Sequence, residues 1–337
     1  MSFNFNDEFE HMMKKKNLHT VVILGHINPD GDASGSVMAL AHYIHAVYPQ
    51  YEVVPYLAST LDKGPKKFVK KDQLFDPFCE IRPSKEYAVI QCDTATKARI
   101  AGRELYDHAS ATMVIDHHAS NPSYAEINYI KISEACAENV FTILDWDRWK
   151  EETHPMAADY IYLGILHDTD VFTRVDSITF QAAQKLIDFG VDHKELMKTM
   201  KAATFEDEKR RSFLYEFVER IEDGKIAYAV ISQKMIEEYG ITYEDIHPFS
   251  SILRDCEDIE LGFTMYEEAL NCWRCSFRSD GKWINVSELL QHFGGGGHAG
   301  AAGLKKQTDD PERLLNDILK KVGEMRKRGA YEKNENC

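Results

Sequence analysis

Short apolar runs alternate with amphipathic stretches through the first half of this 337-residue chain. Four of the runs have the length of buried strands and lie at residues 19–25, 52–57, 86–92 and 111–115. Between the first two, residues 34–48 repeat apolar side chains at spacings of three and four, which predicts a helix. Such alternation is typical of βαβ units, so we expect an α/β fold built on a parallel sheet.

The chain has about twice the usual length of a domain, which predicts two domains. We expect a domain with the parallel sheet in residues 1–191, a helical connector in 192–222 and a smaller α/β domain in 223–337. Further helices are expected at 135–149, 157–166, 178–189, 287–293 and 311–328, and further strands at 226–232, 259–267 and 271–279. The tail after Gly329 is expected to be disordered.

The charge of the chain limits the partners that it can bind. Its 55 acidic residues exceed its 40 basic residues and give a net charge of −15. Because proteins hold long nucleic acids mainly through lysine and arginine on phosphates, we expect any nucleic-acid substrate to be short. No run of about 18 apolar residues predicts a membrane span, and the seven scattered cysteines fit reduced thiols, so we expect a cytoplasmic protein without membrane contact.

Acidic and imidazole side chains follow the predicted strands of the first half and one later apolar run. They are His26, Asp30, Asp32, Asp93, Asp116, His117, His118 and Asp168. Because loops at the carboxyl ends of parallel strands share one edge of the sheet, we expect these side chains to lie close together. For a single aspartate at such a position, a helix cap or a turn former would be the better interpretation.

The four aspartates Asp30, Asp32, Asp93 and Asp168 repel one another if they converge, so the set requires positive charge. Four negative charges match two divalent metal ions. The mixture of carboxylate and imidazole ligands suits Mn²⁺, with Mg²⁺, Co²⁺ or Zn²⁺ as substitutes. Two such ions can clamp a phosphoryl group for in-line displacement, which predicts phosphoryl-transfer chemistry.

Six of the 19 glycines lie between Gly294 and Gly303. Glycine lets a backbone approach a phosphate or a base closely, so this loop predicts a binding element, although a tight turn explains an isolated glycine run equally well. The residues expected to contact substrate are Gly295, Gly296, Gly297 and His298 of the loop, with Arg278 and Ser279 of a preceding strand.

The motifs H-I-N-P-D-G-D-A-S-G-S, D-T-A-T, V-I-D-H-H and H-D-T-D occur in this order. Together they resemble the four motifs of the DHH phosphoesterase superfamily. The run G-G-G-G-H-A-G-A-A-G resembles the signature of the DHHA1 domain, and the resemblance spans about residues 18–325. It implies an N-terminal DHH domain, a C-terminal DHHA1 domain, an active site in the cleft between them and a homodimer.

The resemblance also implies roles for individual residues. One metal ion would be held by His26, Asp30 and Asp93, and the other by Asp32, Asp93, His117 and Asp168, with Asp93 bridging both. Asp116 would orient an imidazole, and His118 would face the substrate phosphate as a donor of a hydrogen bond or a proton. Asp170 stands where the family commonly has glycine, so it either points to solvent or alters the charge of the site. His167 is expected to be a neighbour of the ligands.

Among the branches of the superfamily, the chain resembles the stand-alone enzymes that degrade di- to pentaribonucleotides and dephosphorylate pAp. One alternative is a phosphodiesterase for cyclic di-AMP or its linear product pApA, which is built from the same parts. An alternative of another class is a nucleotide-binding sensor that has lost catalysis. The loss of catalysis is disfavoured, because a residue able to bind metal occupies every ligand position that matches the family.

Overall fold

The computed structural model of the chain describes residues 3–334 except 59, 62, 80–85, 149–155, 201–202, 223 and 282. Its residues form two compact units, Met1–Ala202 and Ala203–Cys337. Of the stretch 192–222, expected to be a helical connector, the part up to residue 200 lies in the first unit and the part from 203 lies in the second. Residues 201, 202 and 223, at two of the proposed borders, lie outside the described residues.

The first unit is built on a five-stranded sheet. Its strands are β1 (Thr20–Leu24), β2 (Glu52–Tyr56), β3 (Tyr87–Cys92), β4 (Ala111–Asp116) and β5 (Ile127–Ile130). Their order across the sheet is β2-β1-β3-β4-β5, and every neighbouring pair is parallel. The prediction of a parallel sheet is therefore confirmed.

Helices cover this sheet. They are α1 (Phe5–Lys15), α2 (Gly31–Val47), α3 (Lys63–Val69), α4 (Arg103–Asp107), α5 (Cys136–Ile143), α6 (Met156–Asp168), α7 (Ser177–Asp188) and α8 (His193–Met200), with a 3-10 turn at Lys97–Arg99. The strands bury both faces: Val21 and Ile23 of β1 join the larger core, whereas Val22 and Leu24 join a smaller core on the other face. A strand buried on both faces has a continuous run of apolar residues in its sequence, which explains why the sequence predicts these strands well.

The strands β1, β3 and β4 lie side by side and run in one direction, so the loops that follow them meet at a single edge of the sheet. The helix α2 follows β1 and therefore begins at the same edge.

Glycines let two long helices approach each other at this edge. A Cβ atom at Gly31 would lie 2.5 Å from Cβ of His167, and a Cβ atom at Gly35 would meet the carbonyl oxygen of Tyr160. The start of α2 thus lies against the end of α6, and the two helices run in opposite directions. This packing brings the end of α6, with Asp168, to the edge where the strand loops meet.

The second unit contains a six-stranded mixed sheet in the order β10-β11-β9-β8-β7-β6. Its helices and strands are α9 (Phe205–Glu216), β6 (Val218–Ile221), β7 (Ile226–Ile231), α10 (Gln233–Tyr239), α11 (Tyr243–Ile246), α12 (Phe249–Arg254), β8 (Leu261–Ala269), β9 (Cys272–Ser279), α13 (Val286–Gln291), β10 (Gly296–His298), β11 (Ala301–Gln307) and α14 (Pro311–Asn334). Among the described strands of this sheet, β7 and β8 pair in parallel and the other neighbours pair antiparallel. Together with the first unit, this confirms the expected α/β class.

Two of the expected helices have different ends. The helix expected at residues 135–149 ends at Ile143, because Leu144 adopts the extended ψ of 140°; residue 149 lies outside the described residues. The prediction of a disordered tail after Gly329 was wrong for residues 330–334, since α14 continues to Asn334; residues 335–337 lie outside the described residues. Among the described residues, no helix combines the length and apolar character needed to cross a bilayer.

Candidate metal centre

His26 and Asp30 lie in the turn between β1 and α2. The His26 ring donates a hydrogen bond from Nδ1 to the carbonyl oxygen of Ile27 at 2.8 Å, so Nε2 is the nitrogen that can bind a metal ion once its proton has left. This Nε2 lies 3.7 Å from Oδ2 of Asp30 and 3.4 Å from Oδ2 of Asp93. Asp30 also caps α2, since its Oδ1 accepts from two amides of the first turn, at 3.0 Å each. One oxygen of Asp30 therefore positions the turn while the other faces the imidazole.

Asp32 is fully buried and is held by the first turn of α5. Its Oδ2 accepts from the amide of Cys136 at 2.6 Å, and its Oδ1 accepts from the amide of Ala137 at 2.8 Å. Burial raises the pKa of Asp32 well above its usual value, and repulsion from Asp93 and Asp168 raises it further. The ionised form of this carboxyl group is stable only if positive charge lies beside it.

Asp93 follows β3 directly and lies between two imidazoles. Its φ of 51° is in the left-handed region, which an aspartate tolerates better than most residues. Oδ2 lies 3.4 Å from Nε2 of His26, and Oδ1 lies 3.4 Å from Nε2 of His117. Burial raises the pKa of Asp93, but His117 and His26 outweigh burial and hold it well below its usual value. The buried Oδ1 accepts no hydrogen bond from any residue that the structure describes.

His117 follows β4 and has its tautomer fixed by the backbone. Its Nδ1 donates to the carbonyl oxygen of Ser133 at 3.0 Å, so Nε2 is again the nitrogen that can bind a metal ion once its proton has left. This Nε2 lies 3.4 Å from Oδ1 of Asp93 and 3.6 Å from Oδ2 of Asp168. Burial lowers the pKa of His117, but Asp93 and Asp32 raise it to about 10. The negative potential that holds a proton on this ring also favours a metal cation.

Asp116 and His118 form a hydrogen-bonded pair beside these groups. Oδ1 of Asp116 accepts from Nδ1 of His118 at 2.8 Å, and Oδ2 accepts from the side-chain amide of Asn121 at 2.6 Å. Asp116 is fully buried, whereas the His118 side chain is partly exposed. The arrangement fixes the ring of His118 and leaves its Nε2 to exchange protons with a ligand.

Asp168 ends α6 and completes the set. Burial raises its pKa, His167 lowers it, and Asp30 and Asp93 raise it again, with a net rise. Two like charges about 4 Å apart repel by about 4 kcal/mol at an effective dielectric constant typical of protein surfaces. A cation beside Asp32 and Asp168 would oppose the rise in the pKa of these two carboxyl groups.

The distances between imidazole nitrogens and carboxylate oxygens fit ligands of a shared cation better than direct hydrogen bonds. The imidazole nitrogens of His26 and His117 lie 3.4–3.7 Å from the carboxylate oxygens, beyond the ~2.7–3.2 Å of an ordinary N–H···O hydrogen bond. Two ligands bound to one ion at about 2.1 Å lie ~3.0–3.4 Å apart, close to the shortest of these separations. Together with the orphaned Oδ1 of Asp93, this donor set fits divalent metal ions.

The structure brings together all six residues that the sequence predicts as metal ligands. Together with His118 and His167, their ligand atoms fall into overlapping groups within 4.8 Å, which are His26–Asp30–Asp93, Asp32–His117–Asp168, Asp93–His117–His118 and Asp30–His167–Asp168. The last group contains His167, which the sequence places only as a neighbour. Asp170 is exposed, which favours the expectation that it points to solvent, and its φ of 51° explains why glycine suits this position.

The expected substrate residues lie in the second unit. The guanidinium of Arg278, in β9, donates to the carbonyl oxygen of Phe277 at 3.0 Å and is half-buried. His298 is exposed in β10, beside Gly296 and Gly297. A Cβ atom at Gly297 would lie 2.5 Å from the carbonyl oxygen of Ala301, so the hairpin of β10 and β11 requires glycine there.

Ser279 and Gly295 take structural positions in this unit. The Ser279 hydroxyl is buried, donates to the carbonyl oxygen of Ile284 at 2.8 Å and accepts from the amide of Gly281 at 3.1 Å. A Cβ atom at Gly295 would lie 2.5 Å from the carbonyl oxygen of Gly303. Both residues therefore shape the loops that flank Arg278 and His298.

Sequence reasoning missed several partners of the centre. Asn121 also donates to the carbonyl oxygen of Thr94 at 3.2 Å, and thereby joins the loops that follow β3 and β4. Its position five residues after Asp116 is a weak signal for this role. The amides that hold Asp32 carry no signal at all, because every residue except proline has a backbone N–H.

Comparisons with known proteins agree with this geometry. Residues 20–165 match the N-terminal domain of the DHH family, and residues 223–325 match the DHHA1 domain. The chain is 26% identical over 320 residues to a probable bifunctional oligoribonuclease and PAP phosphatase NrnA of Streptococcus mutans, covering 92% of this chain and 98% of the relative. It is also 26% identical over 306 residues to the bifunctional oligoribonuclease and PAP phosphatase NrnA of Bacillus subtilis, covering 89% and 93%.

A solved structure shares the fold. The exopolyphosphatase-related protein of Bacteroides fragilis superimposes with a TM-score of 0.79 at 18% identity and covers 96% of each chain. The match to the DHH domain includes every motif of the metal centre except the last. The chain therefore contains a DHH-family N-terminal domain followed by a DHHA1 domain.

Proposed function

We propose that this chain is a two-metal phosphoesterase that hydrolyses short oligoribonucleotides to mononucleotides and removes the 3′-phosphate of pAp. The observation that carries the proposal is the convergence of four aspartates and two tautomer-fixed imidazoles at one edge of the parallel sheet. The relatives from Streptococcus mutans and Bacillus subtilis, whose names state these two activities, support the choice of substrate.

In this proposal two sets of residues hold the cations. The first set is His26, Asp30 and Asp93, and the second is Asp32, Asp93, His117 and Asp168. When bound, the ions supply positive charge to the transferred phosphoryl group and lower the pKa of water. We propose Mn²⁺ as the ion, because the sets mix carboxylates with imidazoles.

His118 is the proposed proton donor. Its Nδ1–H is held by Asp116, so the proton that leaves the ring does so from Nε2. Water loses one proton to solvent as its oxygen attacks phosphorus, the bond from phosphorus to the ester oxygen breaks, and the proton of Nε2 passes to that oxygen. The ring of His118 then regains a proton from solvent. Asp116 stabilises the imidazolium before transfer and keeps the ring in one orientation. This transfer matters most for a ribose leaving group, which is a strong base when unprotonated.

The DHHA1 domain is the proposed substrate reader. Arg278 and His298 supply charge-assisted or neutral donors for a terminal phosphate, and Gly296 and Gly297 let the backbone come close to it. Ser279 and Gly295 contribute by shaping the loops around these donors. Few donors and a net charge of −15 favour short substrates over long chains.

We further propose that the protein acts in the cytoplasm as a homodimer. The six cysteines that the structure describes form no disulfide, in keeping with a reducing compartment. The homodimer rests on the resemblance to the family alone. Sedimentation equilibrium of the purified protein distinguishes a dimer from a monomer, and fractionation of cells tests the location.

Turnover of a substrate panel tests the proposed function. Purified protein with Mn²⁺ is offered pAp, di- to pentaribonucleotides, cyclic di-AMP, pApA and pyrophosphate. Asp93→Asn is the inactive variant, and Glu257→Gln, which changes an exposed acid of the second unit, is the matched control. We expect pAp and the oligoribonucleotides to be hydrolysed fastest, by wild type and Glu257→Gln alike. Fastest turnover of cyclic di-AMP would replace the proposal with the cyclic-dinucleotide alternative, and binding without any turnover would indicate a sensor.

A further inference from the structure

His167 directly precedes Asp168 at the end of α6, and no role in the proposed reaction requires it. The structure places ligand atoms of Asp30, His167 and Asp168 within 4.8 Å of one another. This set has one imidazole and two carboxylates, as does the set His26–Asp30–Asp93. The donors of this set therefore have the chemistry of a further cation position, in addition to the two already proposed.

Asp168 offers a different oxygen to each of two imidazoles. Its Oδ2 lies 3.6 Å from Nε2 of His117, and its Oδ1 lies 3.7 Å from Nδ1 of His167. Both separations are too long for hydrogen bonds and are similar to those between the other ligand pairs of the centre. One carboxylate can thus bind one cation on each side, as bridging carboxylates do in clusters of divalent ions.

The first residue of α2, Gly31, leaves room for the His167 side chain. A Cβ atom at Gly31 would lie 2.5 Å from Cβ of His167 and 2.7 Å from its Cγ, so any other residue would displace the ring. Gly31 follows Asp30 directly, which means that the same close approach brings the imidazole to the carboxylate of Asp30. The juxtaposition is therefore built into the packing of α2 on α6.

The side chains of Asp30, His167 and Asp168 are more exposed to solvent than that of Asp93. The side chains of Asp30, His167 and Asp168 are 30%, 28% and 26% exposed, whereas that of Asp93 is 4% exposed. A cation among these three residues would exchange readily with solvent. It would also bind more weakly than the others, because it shares Asp30 and Asp168 with them and is repelled by their charge.

We propose that Asp30, His167 and Asp168 form a third divalent-cation position at the rim of the metal centre. The position takes ions that accept imidazole as well as carboxylate ligands, such as Mn²⁺, Co²⁺ or Zn²⁺, in preference to Mg²⁺. Its ion adds positive charge beside the phosphate of a bound substrate. The proposal rests on the metal centre of the proposed function, and not on which nucleotide is hydrolysed.

Metal binding measured without turnover tests the third position. Wild type stripped of divalent ions is titrated with Mn²⁺ in a calorimeter, and crystals grown with Mn²⁺ are examined for anomalous scattering. We expect three ions per chain, the third bound most weakly, with an anomalous peak beside His167. In His167→Leu and His167→Gln that ion is lost, while the affinities of the other two fall by no more than about tenfold, the lower end of the cost of losing an outer partner.

The controls separate ligation from folding. His108→Leu removes an exposed histidine of the same unit whose Nδ1 donates to the carbonyl oxygen of Glu104, and it should retain three ions. Thermal unfolding by circular dichroism shows whether each variant folds. If His167→Leu does not fold, His167→Gln, which keeps a polar side chain, provides the test. Two ions in folded wild type, or three in a folded His167 variant, would overturn the proposal. Three ions without hydrolysis of any nucleotide would instead leave it standing and remove the proposed function.

Discussion

Nδ1 of His118 donates a hydrogen bond of 2.8 Å to Oδ1 of Asp116, a carboxylate that is fully buried. A second contact, from the Asn121 side chain to Oδ2 at 2.6 Å, holds the other oxygen of Asp116. The ring of His118 is therefore oriented by a group that lies outside the metal sets. This arrangement separates the handling of protons from the binding of metal ions, and the two roles can be tested independently.

The first prediction concerns His118 as a proton donor. His118→Ala should lower kcat for pAp by about 10²–10⁴-fold, the usual contribution of a general acid. For an aryl phosphate ester, whose leaving oxygen needs no proton, the loss should be much smaller. Steady-state kinetics with both substrates measures the difference. Equal losses on the two substrates would show that His118 does not supply the proton.

The second prediction concerns the packing that places Asp32. A Cβ atom at Gly164 would lie 2.6 Å from Cβ of Ala137 and 2.9 Å from Oδ1 of Asp32. Gly164→Ala should therefore lower the free energy of unfolding by about 1–3 kcal/mol through overpacking and should weaken Mn²⁺ binding. Urea unfolding and calorimetry measure these two effects.

Gly323→Ala is the matched control for this change. Gly323 lies in α14, and a Cβ atom there would meet no heavy atom within 4 Å. This variant should gain about 0.5–1 kcal/mol, because alanine suits a helix better than glycine. A Gly164→Ala protein as stable as wild type, with unchanged Mn²⁺ affinity, would contradict the role given to the close packing.

The third prediction links stability to pH in protein freed of divalent ions. Burial lowers the pKa of His26 and His117, but neighbouring aspartates raise the two values to about 11 and about 10. Because the folded state holds these protons more tightly than the unfolded state, their contribution to stability is complete below about pH 6.5. It should be lost as the pH rises through 10 to 11. Urea unfolding across this range, with and without Mn²⁺, measures the effect.

The same protons must leave when a metal ion binds, so Mn²⁺ binding should release protons near neutral pH. Calorimetry in buffers that differ in their enthalpy of ionisation counts them. The double variant with His26→Gln and His117→Gln removes both groups and should release fewer protons. If the stability of metal-free wild type did not decline above neutral pH, the electrostatic description of these imidazoles would be wrong.

The fourth prediction concerns a buried cluster away from the metal ions. Oδ2 of Asp72 contacts Nε2 of His42 at 2.6 Å and accepts from the Tyr160 hydroxyl at 2.8 Å. Burial raises the pKa of Asp72, but the hydrogen bond with His42 outweighs it and lowers the pKa to about 2. Asp72→Ala should cost about 1–3 kcal/mol of unfolding free energy, since it removes the acceptor that contacts the buried His42 ring and the Tyr160 hydroxyl.

The contribution of Asp72 is present above its unfolded pKa of about 4 and should be lost as the pH falls towards 2. Tyr160→Phe removes the hydrogen bond from α6 to Asp72, while the contact of Asp72 with His42 of α2 remains. Acid unfolding of this variant, followed by circular dichroism, should therefore begin at a higher pH than that of wild type. Asp255→Ala, at an exposed aspartate of the second unit, should leave the midpoint unchanged. An Asp72→Ala protein with wild-type stability would show that the cluster contributes nothing.

The sequence predicts the sheet of the first unit well because its strands are buried on both faces. The run at residues 19–25 contains β1, and the run at 86–92 contains β3. The strand β5 escapes prediction, because its four residues are only half-buried and show neither a long apolar run nor clear alternation. The early end of α5 also escapes, because apolar residues continue past Ile143 at helical spacing while the backbone turns extended.

The metal centre could be predicted as far as it depends on residue type. Carboxylates and imidazoles after parallel strands carry their own signal, so the six expected ligands meet as the topology requires. What the sequence does not encode locally is the crossing of α2 and α6. The contact between Gly31 and His167 depends on that crossing, and it moves His167 from a neighbour to a candidate ligand.

Titration of metal-free protein with Mn²⁺ tests the central claim most directly, with Asp93→Asn measured beside wild type. Wild type should bind at least two ions, since Asp93 lies between the imidazoles of two ligand sets. Asp93→Asn should stay folded and lose more than about a hundredfold in affinity, which exceeds the cost of losing an outer partner. Wild type that binds no divalent ion, or an Asp93→Asn protein that binds the same number with equal affinity, would contradict the account.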